Sequence, residues 1–318
     1  MSLTTRLLRL AGGVALVVAL LAAGFALAFD ASMKWGATPA EVTAGLPGDA
    51  LLPDPDVQWT NATTINATPA QVWPWIAQIA DNKGGFYSFT WIEDRVGSLT
   101  GSADYKVNYT NANAINPAWQ NPQPGDPMIQ GLLKVAEVRT GEYLLAESEI
   151  PESFGWTWLF SVEDAGEGRT RLINRSRISG SAAPNPVLNV TLGLGGSIMN
   201  RRMMNGLKAH PEGWVEPAYM EGLEMALWFA ALLIGLAAAV LYLARRRWAP
   251  SLLIAALSVV VILVLTFVQP AMWLRVAMIV GLAAGLVWAF AATAVPTSTP
   301  AAASASAARA TPALPHTR

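Results

Sequence analysis

Two pairs of ionisable residues have a spacing that could build an acid–base site. Glu147 and Glu149 lie two positions apart in one predicted strand, as do Arg175 and Arg177 in another. Because side chains alternate along a strand, each pair shares one face. If both faces point into the fold, the four groups meet in a cavity and could bind a polar head group or transfer protons. If they point outward they form an ordinary solvated surface, and we favour this second arrangement.

The histidine and cysteine content restricts the remaining chemistry. The chain has two histidines, His210 and His316, and no cysteine, which excludes disulfides, a thiol nucleophile and a thiolate metal site. His316 lies in a tail rich in Pro, Ala, Ser and Thr, so a Ser-His-Asp triad would have to use His210. That residue ends a predicted helix, where the helix dipole stabilises a cation. We therefore predict no metal and no cofactor, and we assign no catalytic residue.

Aromatic and methionine residues give a stronger signal, for binding rather than catalysis. Aromatic walls suit a flat or apolar ligand, and methionines adapt to varied apolar partners, although core packing is the alternative for each residue taken singly. Arg201 and Arg202, beside these methionines, are expected on the exposed side of their helix. Aromatic residues that share one strand face are Phe154, Trp156, Trp158 and Phe160. The predicted ligand-binding residues are Trp75, Phe86, Tyr87, Trp91, Trp156, Trp158, Met199 and Met203.

The elements that must position these residues form an α+β unit. Thr68-Pro69 is a helix start, because Thr caps well and Pro fits the first turn. Helices and then a run of strands indicate a long helix packed on a curved antiparallel sheet. The predicted helices are Pro69–Ile79, Ser88–Val96 and Asn185–His210, the predicted loop is Gly97–Pro127, and the predicted strands are Val57–Ile65, Met128–Val138, Tyr143–Ile150, Phe154–Val162 and Thr170–Ser179.

Four uncharged apolar runs frame this unit: Leu10–Phe29, Met225–Ala244, Ser251–Val268 and Val276–Val295. Each has the length of about 20 residues that a helix needs to cross a bilayer. The first run also fits a secretory signal peptide. The predicted organisation is an anchor or signal peptide at 1–30, a linker with one short helical turn at 31–56, the α+β domain at 57–212, three transmembrane helices at 222–295 and a disordered tail at 296–318.

The arginines predict how the chain is oriented. Arg6 and Arg9 precede the first run, and three arginines, 245–247, follow the second. Short basic flanks stay on the cytoplasmic side. The chain is therefore predicted to be a multi-pass protein of the cell membrane, with both termini cytoplasmic and the domain extracytoplasmic. Arg275 is the exception, because it lies in the predicted outer turn.

Four segments of the α+β unit resemble one family. Residues 64–75 read TINATPAQVWPW, 84–93 GGFYSFTWIE, 168–177 GRTRLINRSR and 199–208 MNRRMMNGLK. Together they are similar to the SRPBCC superfamily, whose members are START-like or polyketide cyclase/dehydrase-like proteins. The resemblance covers residues 57–210 and implies a helix-grip fold, in which a bent antiparallel sheet wraps a long C-terminal helix and leaves a cavity.

These observations predict a membrane-anchored START-like domain that binds a hydrophobic small molecule or lipid outside the cytoplasm. A cyclase- or dehydratase-type enzyme on the same fold is the first alternative, and a membrane sensor or assembly module is the second. A net charge of −1 argues against nucleic acid as a partner, and we predict none. Protein partners and the identity of the ligand stay open.

Overall fold

The structure is a computed structural model that describes residues 2–94, 110–180 and 186–294. The predicted tail, 296–318, and much of the predicted loop Gly97–Pro127 lie outside the described residues. So do the last two residues of the predicted helix Ser88–Val96, of which residues 90–94 are helical.

A six-stranded antiparallel sheet forms the centre of the domain, as the sequence predicts. Its spatial order is β1-β6-β5-β4-β3-β2. One predicted strand, Met128–Val138, is wrong as a single element: the chain turns back at Gly131, whose φ is +73°, and forms two strands. The strands are β1 Val57–Ile65, β2 Pro127–Ile129, β3 Leu133–Arg139, β4 Tyr143–Ser148, β5 Gly155–Gly166 and β6 Arg169–Ser179.

Helices cover the inner face of this sheet. The helix α3, Pro69–Ala77, begins after Thr68, whose backbone N–H donates to Gln71 Oε1 over 2.9 Å. The long helix α4, Pro186–Ala209, crosses the sheet, and Gly196 allows it to approach the ring of Trp59. A Cβ at Gly196 would lie 2.6 Å from that ring. The mixed α+β architecture, with its final helix across an antiparallel sheet, is confirmed.

Residues 39–53 of the predicted linker pack on the outer face of the sheet. It contains the helix α2, Pro39–Thr43, close to where the sequence predicts a helical turn, and a 3-10 turn at Asp49–Leu51. Arg175 of β6 holds it there by donating to Ala44 O over 2.7 Å and by pairing with Asp49 over 2.6 Å. The segment is therefore part of the domain surface.

Within the described residues, four helices are long and apolar enough to cross a membrane. They are α1 Leu3–Met33, α5 Met220–Ala244, α6 Ala249–Leu263, which continues as a π-helical turn at Val264–Val268, and α7 Met272–Ala294.

The two basic flanks lie together at one end of this bundle. Arg9 of α1 donates to Arg245 O over 2.7 Å, and Tyr242 Oη donates to Arg9 O over 2.9 Å. At the other end, Asn61 Nδ2 of β1 donates to Ser32 O of α1 over 2.9 Å. The domain therefore packs on the end of the bundle opposite to the arginines.

A candidate apolar site between the domain and the membrane helices

Most of the predicted ligand-binding residues pack into the core between α4 and the sheet. Phe86, Tyr87, Trp158 and Met203 are buried in one continuous apolar cluster, and Trp75 and Trp156 pack against it half-buried. The predicted aromatic row on β5 is present, with the rings of Trp156 and Trp158 5.4 Å apart and those of Trp158 and Phe160 4.9 Å apart. The space between helix and sheet is occupied by these side chains.

The two charged pairs lie on the outer face of the sheet, the arrangement that the sequence favours. Glu147 pairs with Lys134 over 3.6 Å, and Glu149 is exposed. Arg175 and Arg177 face outward too, but the segment around Asp49 covers them, and Asp49 lies 2.6 Å from one and 3.3 Å from the other. The four groups do not meet in the interior of the domain.

The remaining two predicted residues, Trp91 and Met199, line a cavity of about 390 Å³ at the junction of the domain with the membrane helices. Part of this space exists because α4 carries Gly195 here: a Cβ at this position would meet no atom within 4 Å. The cavity is lined by Phe89, Trp91, Ile92, Gly195, Ile198, Met199, Glu224, Met225, Trp228, Phe229, Leu232, Leu265, Thr266 and Arg275.

A buried ionic cluster forms the polar wall of this junction cavity. Glu224 of α5 accepts from Arg275 Nη1 over 2.9 Å and from Arg202 Nε over 3.3 Å. Arg202 of α4 also pairs with Glu216. Side-chain exposure in the four residues is at most 10 %. The prediction that Arg202 is exposed is therefore wrong: its side chain pairs with Glu224 near the start of α5 and with Glu216 in the segment before that helix. Arg201 is only half-buried, and its guanidinium lies 4.5 Å from the centre of the Trp35 ring.

Next to this cluster lies Glu93, which is also buried. Neither of its carboxylate oxygens has a hydrogen-bond partner among the described residues. Burial, with the nearby charges of Glu221 and Asp94, raises the pKa of Glu93 to about 8. Glu221 in turn caps the helical turn at 90–94, accepting from Thr90 N over 3.1 Å and from Thr90 Oγ1 over 2.5 Å. Glu93 is therefore protonated at neutral pH and adds no charge to the cluster.

His210 lies outside the junction cavity. Its ring is 4.6 Å from the ring of Trp75, and its Nδ1 is 2.8 Å from Gly206 O. Burial lowers the pKa of His210, so the ring is neutral at pH 7. Within the described part of the chain, none of its hydrogen-bond partners is a carboxylate, so it has no partner for acid–base catalysis.

The sequence interpretation missed Glu224 and Arg275, although a signal was present. Glu224 comes directly before the apolar run that begins at Met225, and Arg275 comes directly before the run that begins at Val276. Opposite charges that border two spans at the same predicted level of the membrane can pair there. Arg275 is also the exception to the basic-flank pattern, and its carboxylate partner explains that exception.

Comparisons with known proteins give no family. No protein-family model matches the chain, and no curated protein matches it. A conserved protein from Geobacillus kaustophilus is 12% identical with a TM-score of 0.27, over 50% of this chain and 98% of that chain. A hypothetical protein from Helicobacter pylori is 12% identical with a TM-score of 0.29, over 53% and 96%. The di-domain ARO/CYC BexL from the BE-7585A biosynthetic pathway is 12% identical with a TM-score of 0.26, over 52% and 53%. Likenesses this weak carry no argument about activity.

Proposed function

We propose that this chain is a membrane-anchored START-like domain that binds a hydrophobic small molecule or lipid. The observation that carries the proposal is the junction cavity, which the domain and the membrane helices build together. Its volume of about 390 Å³ falls within the roughly 300–1,000 Å³ of small-molecule sites, and its lining follows their pattern of mostly apolar walls with few polar groups. The resemblance of residues 57–210 to the SRPBCC superfamily supports the same function.

The proposed location of the domain is extracytoplasmic. Arg9 and Arg245 lie at one end of the bundle, where the guanidinium of Arg245 also lies 5.3 Å from the centre of the Phe290 ring near the end of α7. Basic flanks favour the cytoplasmic side. Both termini are then cytoplasmic, and the junction cavity borders the outer leaflet.

The proposal is tested by native mass spectrometry of the full chain, extracted from its membrane in a mild detergent. We expect a fraction of the protein to carry one apolar molecule that organic solvent releases and that fragmentation can identify. Full-length protein without any adduct, and without saturable binding of an added fluorescent apolar probe, would overturn it.

A cyclase- or dehydratase-type enzyme is the less supported alternative. The two ionisable groups that line the junction cavity, Glu224 and Arg275, bind each other, so neither is free to act as a general acid or base. Catalysis would appear as a product formed from the extracted ligand with a pH optimum.

A further inference from the structure

The side of the junction cavity that α5 forms carries large apolar side chains that remain exposed. On α5, three residues that line it keep large exposed fractions: Trp228 43 %, Phe229 60 % and Leu232 42 %. Trp91, on the domain side of the cavity, is 43 % exposed. At 1.5 Å per residue, Trp228 and Leu232 lie about 4.5 and about 10.5 Å along α5 from Met225, where its apolar run begins. This exposed side therefore lies along the membrane span, where acyl chains and not water would contact it.

We infer that the junction cavity takes an uncharged, single-chain lipid directly from the adjacent leaflet. The chain enters beside Trp228 and Phe229 and lies against Gly195 and Met199, and an oxygen of its head group accepts from Arg275. This inference rests on the proposed function and adds to it the route of entry and the class of ligand. The volume of about 390 Å³ lies at the lower end of the roughly 300–1,000 Å³ of small-molecule sites, which favours a single chain.

Hydrogen bonding decides which head group fits. Both oxygens of Glu224 already accept from guanidinium groups, and the Thr266 hydroxyl donates to Ile262 O over 2.7 Å. Arg275 uses Nη1 for Glu224 and Nε for Pro270 O, while its Nη2 makes no hydrogen bond within the described residues. Arg275 Nη2 is thus an unused donor among the groups that line the cavity, and an ester, carbonyl or hydroxyl oxygen is its complement.

Charge excludes an acidic head group. Arg202 and Arg275 carry two positive charges, and Glu216 and Glu224 carry two negative charges, so the cluster is neutral. Glu221 lies close by and adds a further negative charge. A fatty-acid carboxylate or a phosphate would therefore lose its hydration without gaining a net attraction. The uncharged lipid has no such cost.

The experiment uses full-length protein in phosphatidylcholine nanodiscs and monoacylglycerol with a photoreactive diazirine in mid-chain. We expect cross-links to peptides that contain Trp228–Leu232 and Gly195–Met199. The fatty acid of the same chain length should label them at least tenfold less at equal concentration. Equal or stronger labelling by the fatty acid would overturn the choice of an uncharged head group.

Matched glycine variants test the location. Gly195→Phe places a ring in the junction cavity, because a Cβ there meets no atom, and should lower the labelling at least tenfold. Gly281→Phe is the control: Gly281 lies on an exposed part of α7, has the same open space and does not line the cavity. Equal labelling of the two variants would overturn the site. If Gly195→Phe does not fold, Met199→Trp fills the same space. Unchanged labelling of the Met199→Trp variant would then overturn the site.

The outcomes separate this inference from the proposed function. Cross-links that map instead to Trp158 and Met203 in the domain core would overturn the junction site while ligand binding stands. Absence of any bound apolar molecule in native mass spectrometry, together with no specific labelling, would overturn both.

Discussion

Glu224→Gln is the substitution that most directly tests the ionic cluster. Glutamine keeps the size of the side chain and removes the charge that two guanidinium groups share, Arg275 at 2.9 Å and Arg202 at 3.3 Å. After the substitution, Glu216 is the remaining carboxylate paired with Arg202, and Arg275 has no charged partner among the described residues. Two buried cations then face each other across one amide.

The magnitude follows from burial. Removing one partner of a buried ion pair costs about 3–5 kcal/mol, because an uncompensated charge is left out of water. The side chains of Glu224, Arg275 and Arg202 are 8 %, 10 % and 6 % exposed, so this range applies. Glu147→Gln is the matched control. Its pair with Lys134 is 3.6 Å long and 34 % and 41 % exposed, and exposed pairs contribute about 0–1 kcal/mol.

The assay is urea unfolding of the full chain in detergent micelles, followed by tryptophan fluorescence. We expect Glu224→Gln to lower the apparent free energy of unfolding by about 3–5 kcal/mol and Glu147→Gln to lower it by less than about 1 kcal/mol. In a double-mutant cycle, Arg275→Gln should cost much less in the Glu224→Gln background than alone. Equal losses for the two glutamate variants, or additive losses in the cycle, would refute the argument.

Further predictions concern the protonation of Glu93, the linker segment that packs on the outer face of the sheet, and the orientation of the chain in the membrane. The pKa of Glu93, raised from 4.5 to about 8, means that its contribution to stability is fully present below about pH 4.5 and is lost as pH rises through about 8. Between pH 6.5 and 8.5 the free energy of unfolding should therefore fall, and Glu93→Gln should flatten this slope; an unchanged slope contradicts the prediction. Arg175→Met removes the guanidinium that makes five hydrogen bonds, so we expect a loss of about 3–5 kcal/mol and protease cleavage within residues 38–53; an uncleaved segment argues against that role. A reporter active only in the cytoplasm should be silent when inserted at Gly101 and active when fused after Arg318, and the reverse pattern overturns the orientation.

The sequence predicts the architecture well because capping residues, strand alternation and long apolar runs all indicate the elements that the structure contains. Thr68-Pro69 marks the start of α3, alternation marks β5 and β6, and the apolar runs mark four helices. The error at residues 128–138 has a local cause. Met128–Val138 is apolar enough to pass for one strand, but Gly131 adopts a positive φ, and a single glycine inside an apolar run is a weak signal.

The candidate site was less predictable because it depends on contacts between distant segments. Periodicity indicates which side chains of α4 share a face, but not which face meets the membrane helices. Arg202 illustrates this: a charged residue on a helix is normally solvated, and its burial depends on Glu216 and Glu224 further along the chain. Trp158 and Met203 pack in the core of the domain, and their contact with a ligand stays a prediction.

The length of α1 has a consequence for how far the domain can move. Its 31 residues span about 46 Å, against about 30 Å of hydrocarbon, so the helix runs on without a break into the domain. There Ser32 O accepts from Asn61, and the Ser32 hydroxyl accepts from Ser197 over 3.3 Å. The segment between α4 and α5 is the second connection between the domain and the bundle, and Arg202 holds it by pairing with Glu216. These contacts hold the domain against the end of the bundle. A lipid that enters the junction cavity from the bilayer, as we propose, would reach it by lateral diffusion, so its search would be two-dimensional.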